Sequence, residues 1–318
     1  MEELTQEEIE YRRYLRRRIR RRKRRRKVMI ARAVVACVFL LIVGGITGII
    51  YHFVSGGKKT DIKENAVEHT AAPTATPLIT YNVPDGYEEY YEQLVALQVD
   101  YAEIQDILMN LSQYPQDLLK LVINNQETVS FVAGYVLHQN DTEAGGEITD
   151  EEISGGIPAF KQWDERWGYL KYGSNILAIS GCGPTCMSMV YSGLMHSKEM
   201  SPADMAEYCM EHNYYDSESG TSWTMMTTGA ENLGLDAEKI VVSENSIKTE
   251  LEQGHPVICS MEPGDFTSEG HFIVLAGITD KGKLIINDPN SNARSEKSWK
   301  FSKVLEQTKA AWAYSVAE

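Results

Sequence analysis

Residues 33–54 form the longest apolar stretch of the chain, 22 positions without a formally charged side chain. At ~1.5 Å per residue a helix of that length spans about 33 Å, enough for a hydrocarbon core of ~30 Å. Immediately before it, residues 12–27 carry 13 Lys or Arg. The positive-inside rule then predicts a basic cytoplasmic tail over 1–27 and a transmembrane helix over 28–54, with the rest of the chain outside the cell. Arg32 sits where it can snorkel to the interface, and Tyr51 and Phe53 serve as aromatic anchors on the far side. The segment Ser55-Gly56-Gly57-Lys58-Lys59 has no Ala-x-Ala site, which favours an anchor over a cleaved signal peptide.

Beyond the apolar stretch the periodicity changes. Residues 55–83 have none, and their Gly-Gly and Ala-Pro-Thr-Ala-Thr-Pro runs predict an extended linker. Residues 84–138 show apolar positions at steps of three and four: Tyr87, Tyr90, Tyr91, Leu94, then Ile104, Ile107, Leu108, Leu111. Pro115 opens a further segment with Leu118, Leu119 and Val122 on one side. This predicts a small helical region, a stalk or cap without visible chemistry. Residues 139–157 are acidic and Gly-rich and predict a second linker. Residues 158–318 make one domain of usual size. Within it Met187, Val190, Tyr191 and Leu194 predict a helix, while Phe272–Leu275 and Leu284–Ile286 predict strands.

Composition adds three limits. With 43% hydrophobic and 24% charged residues in 318, the chain is globular rather than disordered or collagen-like. Five cysteines are too few for a disulfide-built scaffold. Residues 1–54 carry a net charge of +9 and residues 55–318 a net of -23, so the exported part is no nucleic-acid binder.

The chemistry gathers at three places in residues 158–318. Ser180-Gly181-Cys182-Gly183-Pro184-Thr185 leads into the apolar helix. Pro184 suits a first turn, which puts Cys182 at a helix N-terminus, where the dipole favours a thiolate. Gly181 and Gly183 are expected to let a substrate approach. His271 begins a buried-looking strand and is the candidate base. A second strand ends at Asn287-Asp288-Pro289, and a hairpin between the two would bring Asp288 to His271 to fix the imidazole. Cys186, Cys209 and Cys259 read as core positions. The cysteine and histidine spacings fit no zinc site, and Asp288-x-Asn290-x-Asn292 lacks the glycine and glutamate of a calcium loop. No metal or other cofactor is expected.

These motifs, with Phe160-Lys161-Gln162-Trp163-Asp164-Glu165-Arg166-Trp167, Gly220-Thr221-Ser222-Trp223 and Pro256–Met261, resemble the exported papain-like cysteine peptidases related to the double-glycine leader (bacteriocin-processing) peptidases, of the Gram-positive membrane-anchored type. The resemblance covers residues 158–318. It implies a papain-like α+β fold, in which a helix bearing the nucleophile packs on an antiparallel sheet. It implies Cys182 as nucleophile, His271 as base, Asp288 as orienting acid and Gln162 as an oxyanion donor beside the Cys182 N–H. Residues 114–135 resemble the helical extension preceding this domain in Gram-positive members. The leader peptidases are fused to a transporter, and nothing in this chain is one.

The expected function is a membrane-anchored extracellular cysteine peptidase that acts through an acyl-enzyme. Peptidoglycan stem or cross-bridge amides are the alternative substrate to peptides and proteins, and a non-catalytic surface module is the alternative role. Glu151-Glu152-Ile153-Ser154-Gly155-Gly156 partly matches a double-glycine leader, so self-cleavage after Gly156 is an expectation to set against a plain flexible linker. Trp163, Trp167 and Trp223 are candidates to line a groove, although such aromatics more often belong to a core.

Overall fold

A computed structural model describes residues 81–217 and 220–317. The basic tail, the expected transmembrane helix and all but the last three residues of the first linker lie outside the described residues. Among the described residues no helix is long and apolar enough to cross a membrane.

The helical region forms from the spacing of its apolar side chains. Its helices are α1 (Glu88–Leu97), α2 (Ile104–Met109), α3 (Gln116–Asn124) and α4 (Val129–His138). Pro115, with φ of -56°, is the N-cap of α3. Leu94, Ile107, Leu118, Leu119, Phe131 and Val132 meet in one core. Two residues of the following domain, Tyr169 and Ala178, belong to that same core. The Tyr169 ring stacks on Phe131 at 4.2 Å, and its hydroxyl donates to the Phe131 carbonyl at 2.8 Å. His138 stacks on Tyr169 as well and pairs with Asp141. The region is therefore docked on the domain rather than set apart as a stalk.

The linker expected over residues 139–157 is also largely docked. Ile148 is buried in the main core. Helix α5 (Asp150–Ser154) starts with a capping box between Thr149 and Glu152. Arg166 then clamps the segment, donating to Glu152 at 2.7 and 3.0 Å and to Asp164 at 2.6 Å. Of the acidic residues that suggested a solvated linker here, Glu152 pairs with this half-buried guanidinium.

The remaining elements follow in order. A short hairpin, β1 (Lys171–Tyr172) and β2 (Asn175–Ile176), precedes α6 (Leu177–Ser180) and the long α7 (Cys182–Leu194). Next come α8 (Pro202–Glu211), the hairpin β3 (Tyr215–Asp216) and β4 (Gly220–Thr221), and α9 (Thr228–Glu231). Helix α8 begins with Pro202 after a Ser201–Asp204 capping box. Then β5 (Leu235–Ile240) and α10 (Glu244–Glu252) lead to β6 (Val257–Met261), β7 (His271–Ile278) and β8 (Leu284–Asn287). The chain closes with α11 (Asn292–Glu296), α12 (Phe301–Leu305) and β9 (Thr308–Val316).

Five strands form one antiparallel sheet in the order β5-β9-β6-β7-β8. Its residues alternate between two cores, as a strand period of two requires. Ile258, Phe272, Val274, Ala310, Trp312 and Tyr314 share a core with α7 and α8. Cys259, Ile273, Leu275, Ala311 and Ala313 share the other with α10 and α12. Covering both faces explains why β6 is apolar nearly throughout. The fold is thus the expected mixed helix and antiparallel sheet, with the cysteine-bearing helix against the sheet.

Because Phe131 is buried between the helical region and Tyr169, Phe131→Ala should cost about 3–5 kcal/mol. A single thermal transition that moves down as a whole, by about 2–4 °C per kcal/mol, is the expected calorimetric result. Two transitions, only the smaller of them displaced, would show that the region folds independently of the domain.

Candidate active site

Helix α7 opens at Cys182, with Gly181 as its N-cap. The first N–H groups of a helix have no partner within it, so the partly exposed Cys182 thiol stands where a negative charge is favoured. The two flanking glycines do something other than admit a substrate. A Cβ on Gly183 would lie 2.5 Å from Thr221 Oγ1, and one on Gly181 would lie 2.6 Å from Leu177 Cγ. Both are small because α6 and the β4 strand pack directly against the start of α7. One turn further on, Cys186 is fully buried, and burial raises its thiol well above the ordinary value. Cys209 and Cys259 are likewise core, each pushed up to about 12 by burial.

The β7–β8 hairpin pairs Val274 with Asn287 and Leu275 with Ile286. That register brings the residue after β8 to the start of β7. His271 Nε2 lies 2.9 Å from Asp288 Oδ1, and Cys182 is near enough to act on the imidazole. The structure therefore joins three of the four residues singled out in the sequence, in the order Cys182, His271, Asp288.

Both ends of the His271–Asp288 pair are enclosed. His271 is 8% exposed and Asp288 is 0% exposed. Burial alone would pull the imidazole down, but the Asp288 carboxylate, its hydrogen bond and the Cys182 contact outweigh this and hold it up at about 9. Burial alone would raise Asp288, but His271 and Arg294 bring it to about 2. The pair is thus charged through the neutral range.

Gln162 is placed differently from a simple oxyanion donor. Its Nε2 donates to the Ala178 carbonyl at 2.7 Å and reaches the Ile179 carbonyl at 3.4 Å. Its Oε1 is buried and finds no hydrogen-bond partner among the described residues. Through these bonds Gln162 grips the turn that delivers Cys182, and its own N–H donates to Pro289 O at 2.8 Å.

Three further groups around Asp288 carry no sequence signal. Arg294 Nε donates to Asp288 Oδ2 in a short ion pair. Ser295 Oγ accepts the Asp288 N–H at 2.9 Å. Lys161 is buried and donates to Asp288 O at 2.8 Å, Ser295 Oγ at 3.1 Å and Ala159 O at 3.3 Å. Burial lowers its ammonium to about 8 despite the nearby Asp288 and Glu127. The only hint was that Lys161 adjoins Gln162.

Of the three tryptophans, Trp167 is core and Trp163 donates to Asn290 O at 3.1 Å. Trp223, 38% exposed, packs edge-on against Trp312. It alone offers an open aromatic surface.

Two comparisons bear on identity. The model of the Peptidase_C39 like family matches residues 155–317. The chain belongs to the Peptidase_C39 like family. That membership makes it a cysteine peptidase-type hydrolase by family, with peptides or proteins as the substrate class. Among curated proteins no relative matches the chain. The family match begins at Gly155, beside the Gly155-Gly156 pair raised as a cleavage site. A Cβ on Gly193 would meet the Gly156 carbonyl at 3.1 Å, and Asn287 Nδ2 donates to the Ile157 and Pro158 carbonyls. Gly193 lies eleven residues along α7 from Cys182, or about 16 Å. The Gly156 bond is therefore pinned at the far end of the helix from the thiol.

The enclosed pair sets a pH dependence. His271 gains protons on folding, so its contribution to stability is complete below about pH 6.5 and is lost as pH rises through about 9. Lys161 acts oppositely above about pH 8. In the Tm difference between the native chain and His271→Gln, the Lys161 contribution cancels. That difference should shrink steadily between pH 6.5 and 9, and a flat difference would contradict the ion pair.

Proposed function

We propose that the chain hydrolyses peptide bonds through a Cys182–His271–Asp288 triad. The observation that carries this reading is the His271 ring, held by Asp288 at Nε2 and near enough to Cys182, at the start of α7, for the two to influence each other. The Cys182 thiolate, paired with the protonated His271 ring, attacks the peptide carbonyl. The resulting oxyanion takes the Cys182 N–H and one Nε2 hydrogen of Gln162. The 3.4 Å contact of that nitrogen with Ile179 O is the weaker of its two bonds and the one an oxyanion replaces. The imidazolium then protonates the leaving amine, which leaves a thioester. His271, neutral after that step, deprotonates a water that attacks the thioester; the acid product departs and the thiolate–imidazolium pair is restored.

The apolar residues 33–54 and the basic run before them support placing this chemistry outside the cell on a membrane anchor. Labelling of Cys182 in intact cells by a membrane-impermeant thiol reagent tests that placement, and protection until lysis would overturn it.

A library of fluorogenic peptides, with muropeptide release measured in parallel, tests the activity and its substrate. Cys182→Ala should abolish turnover. Gln162→Ala should lower kcat by about 10²–10³-fold with little change in KM. Full turnover by Cys182→Ala would eliminate the covalent mechanism.

A further inference from the structure

The groups that hold the Asp288 carboxylate and N–H, other than His271, all come from one short segment. Asn290 N donates to Asp288 Oδ1 at 2.7 Å. Arg294 and Ser295 hold its Oδ2 and its N–H. This segment, residues 290–295, is α11 with its lead-in, and a helix of five residues does not hold its own place.

What fixes it comes largely from the helical region, some 165 residues earlier. Glu127 sits in the 3₁₀ turn between α3 and α4. Its carboxylate accepts from Ser291 Oγ at 2.6 Å, Asn292 N at 2.6 Å and Ala293 N at 3.3 Å. Asn125 Nδ2 donates to Asn290 O at 2.5 Å, and Asn125 Oδ1 accepts Glu127 N at 3.2 Å. The two residues are thus locked to each other as well as to the segment. Trp163 Nε1 on Asn290 O, Trp299 Nε1 on Arg294 O and Lys161 Nζ on Ser295 Oγ supply further ties. The charged groups gathered here are Glu127, Asp288, Lys161 and Arg294, and Glu127 and Asp288 both act on Lys161.

We propose that Glu127 is a positioning residue for the reaction. From the helical region it holds residues 290–295 in the arrangement that aligns Asp288 on His271. The region is then part of the catalytic machinery rather than a passive spacer. This inference rests on the triad reading above.

The test uses the full-length chain in mild detergent. The rate of Cys182 alkylation by iodoacetamide is followed from pH 5 to 9 by peptide mass spectrometry. Glu127→Ala and Glu127→Gln are compared with His271→Ala and Asp288→Asn, and each variant's Tm is recorded. Glu127→Ala should slow Cys182 alkylation at pH 6 by about threefold to tenfold, displacing the profile in the same direction as Asp288→Asn. Glu127→Gln keeps an acceptor oxygen and should recover most of the rate. A Glu127→Ala profile that overlays the native one while Asp288→Asn is displaced overturns the positioning role alone. If neither His271→Ala nor Asp288→Asn displaces the profile, the triad reading fails and the positioning role falls with it. Should Glu127→Ala not fold, Ser291→Ala removes the hydroxyl donor from the other side, and its profile decides by the same criterion.

Discussion

A carboxylate with no access to solvent must be neutralised where it stands, and in this protein that carboxylate is Asp288. Leaving a buried charge unpaired costs several kcal/mol. Its two oxygens are accordingly filled by His271, Arg294 and the Asn290 N–H. Each of those partners needs a fixed backbone of its own, so the demand spreads outward. His271 is fixed by β7, an interior strand of a sheet covered on both faces. Arg294 is fixed by a helix of only five residues, which has to be held by something else.

That requirement links the two halves of the described chain. Lys161 carries a second buried charge and spends its ammonium on Asp288 O, Ser295 Oγ and Ala159 O. Gln162 beside it ties the Asp288 loop to the turn before Cys182. Glu127 and Asn125 reach the same loop from the helical region. A nucleophile on one helix and a base on one strand are thereby positioned by a polar network that links the helical region to the domain.

The packing of small residues around α7 serves the same end. Gly181 and Gly183 let Leu177 and Thr221 press against the helix start. This fixes the height of Cys182 relative to His271, whose own position is set by the sheet.

Local pattern determined much of this protein. The spacing of apolar residues marked the helical region, the α7 helix and the β7 and β8 strands, because those periods are properties of the backbone itself. The turn chemistry at Gly181–Pro184 marked Cys182 as a helix start, and the hairpin between two adjacent strands was enough to pair His271 with Asp288. Other features became visible only in three dimensions. Glu127, Asn125, Lys161 and Arg294 are ordinary polar residues in sequence, and the acidic stretch around Glu152 looked like a solvated linker. Whether a charge faces water or a buried partner depends on chain segments far away in sequence. Glu127 meets its partners 164 to 166 residues later, and no local rule reaches across that distance. Only tertiary packing, which makes burial conditional on pairing, decided what those residues do.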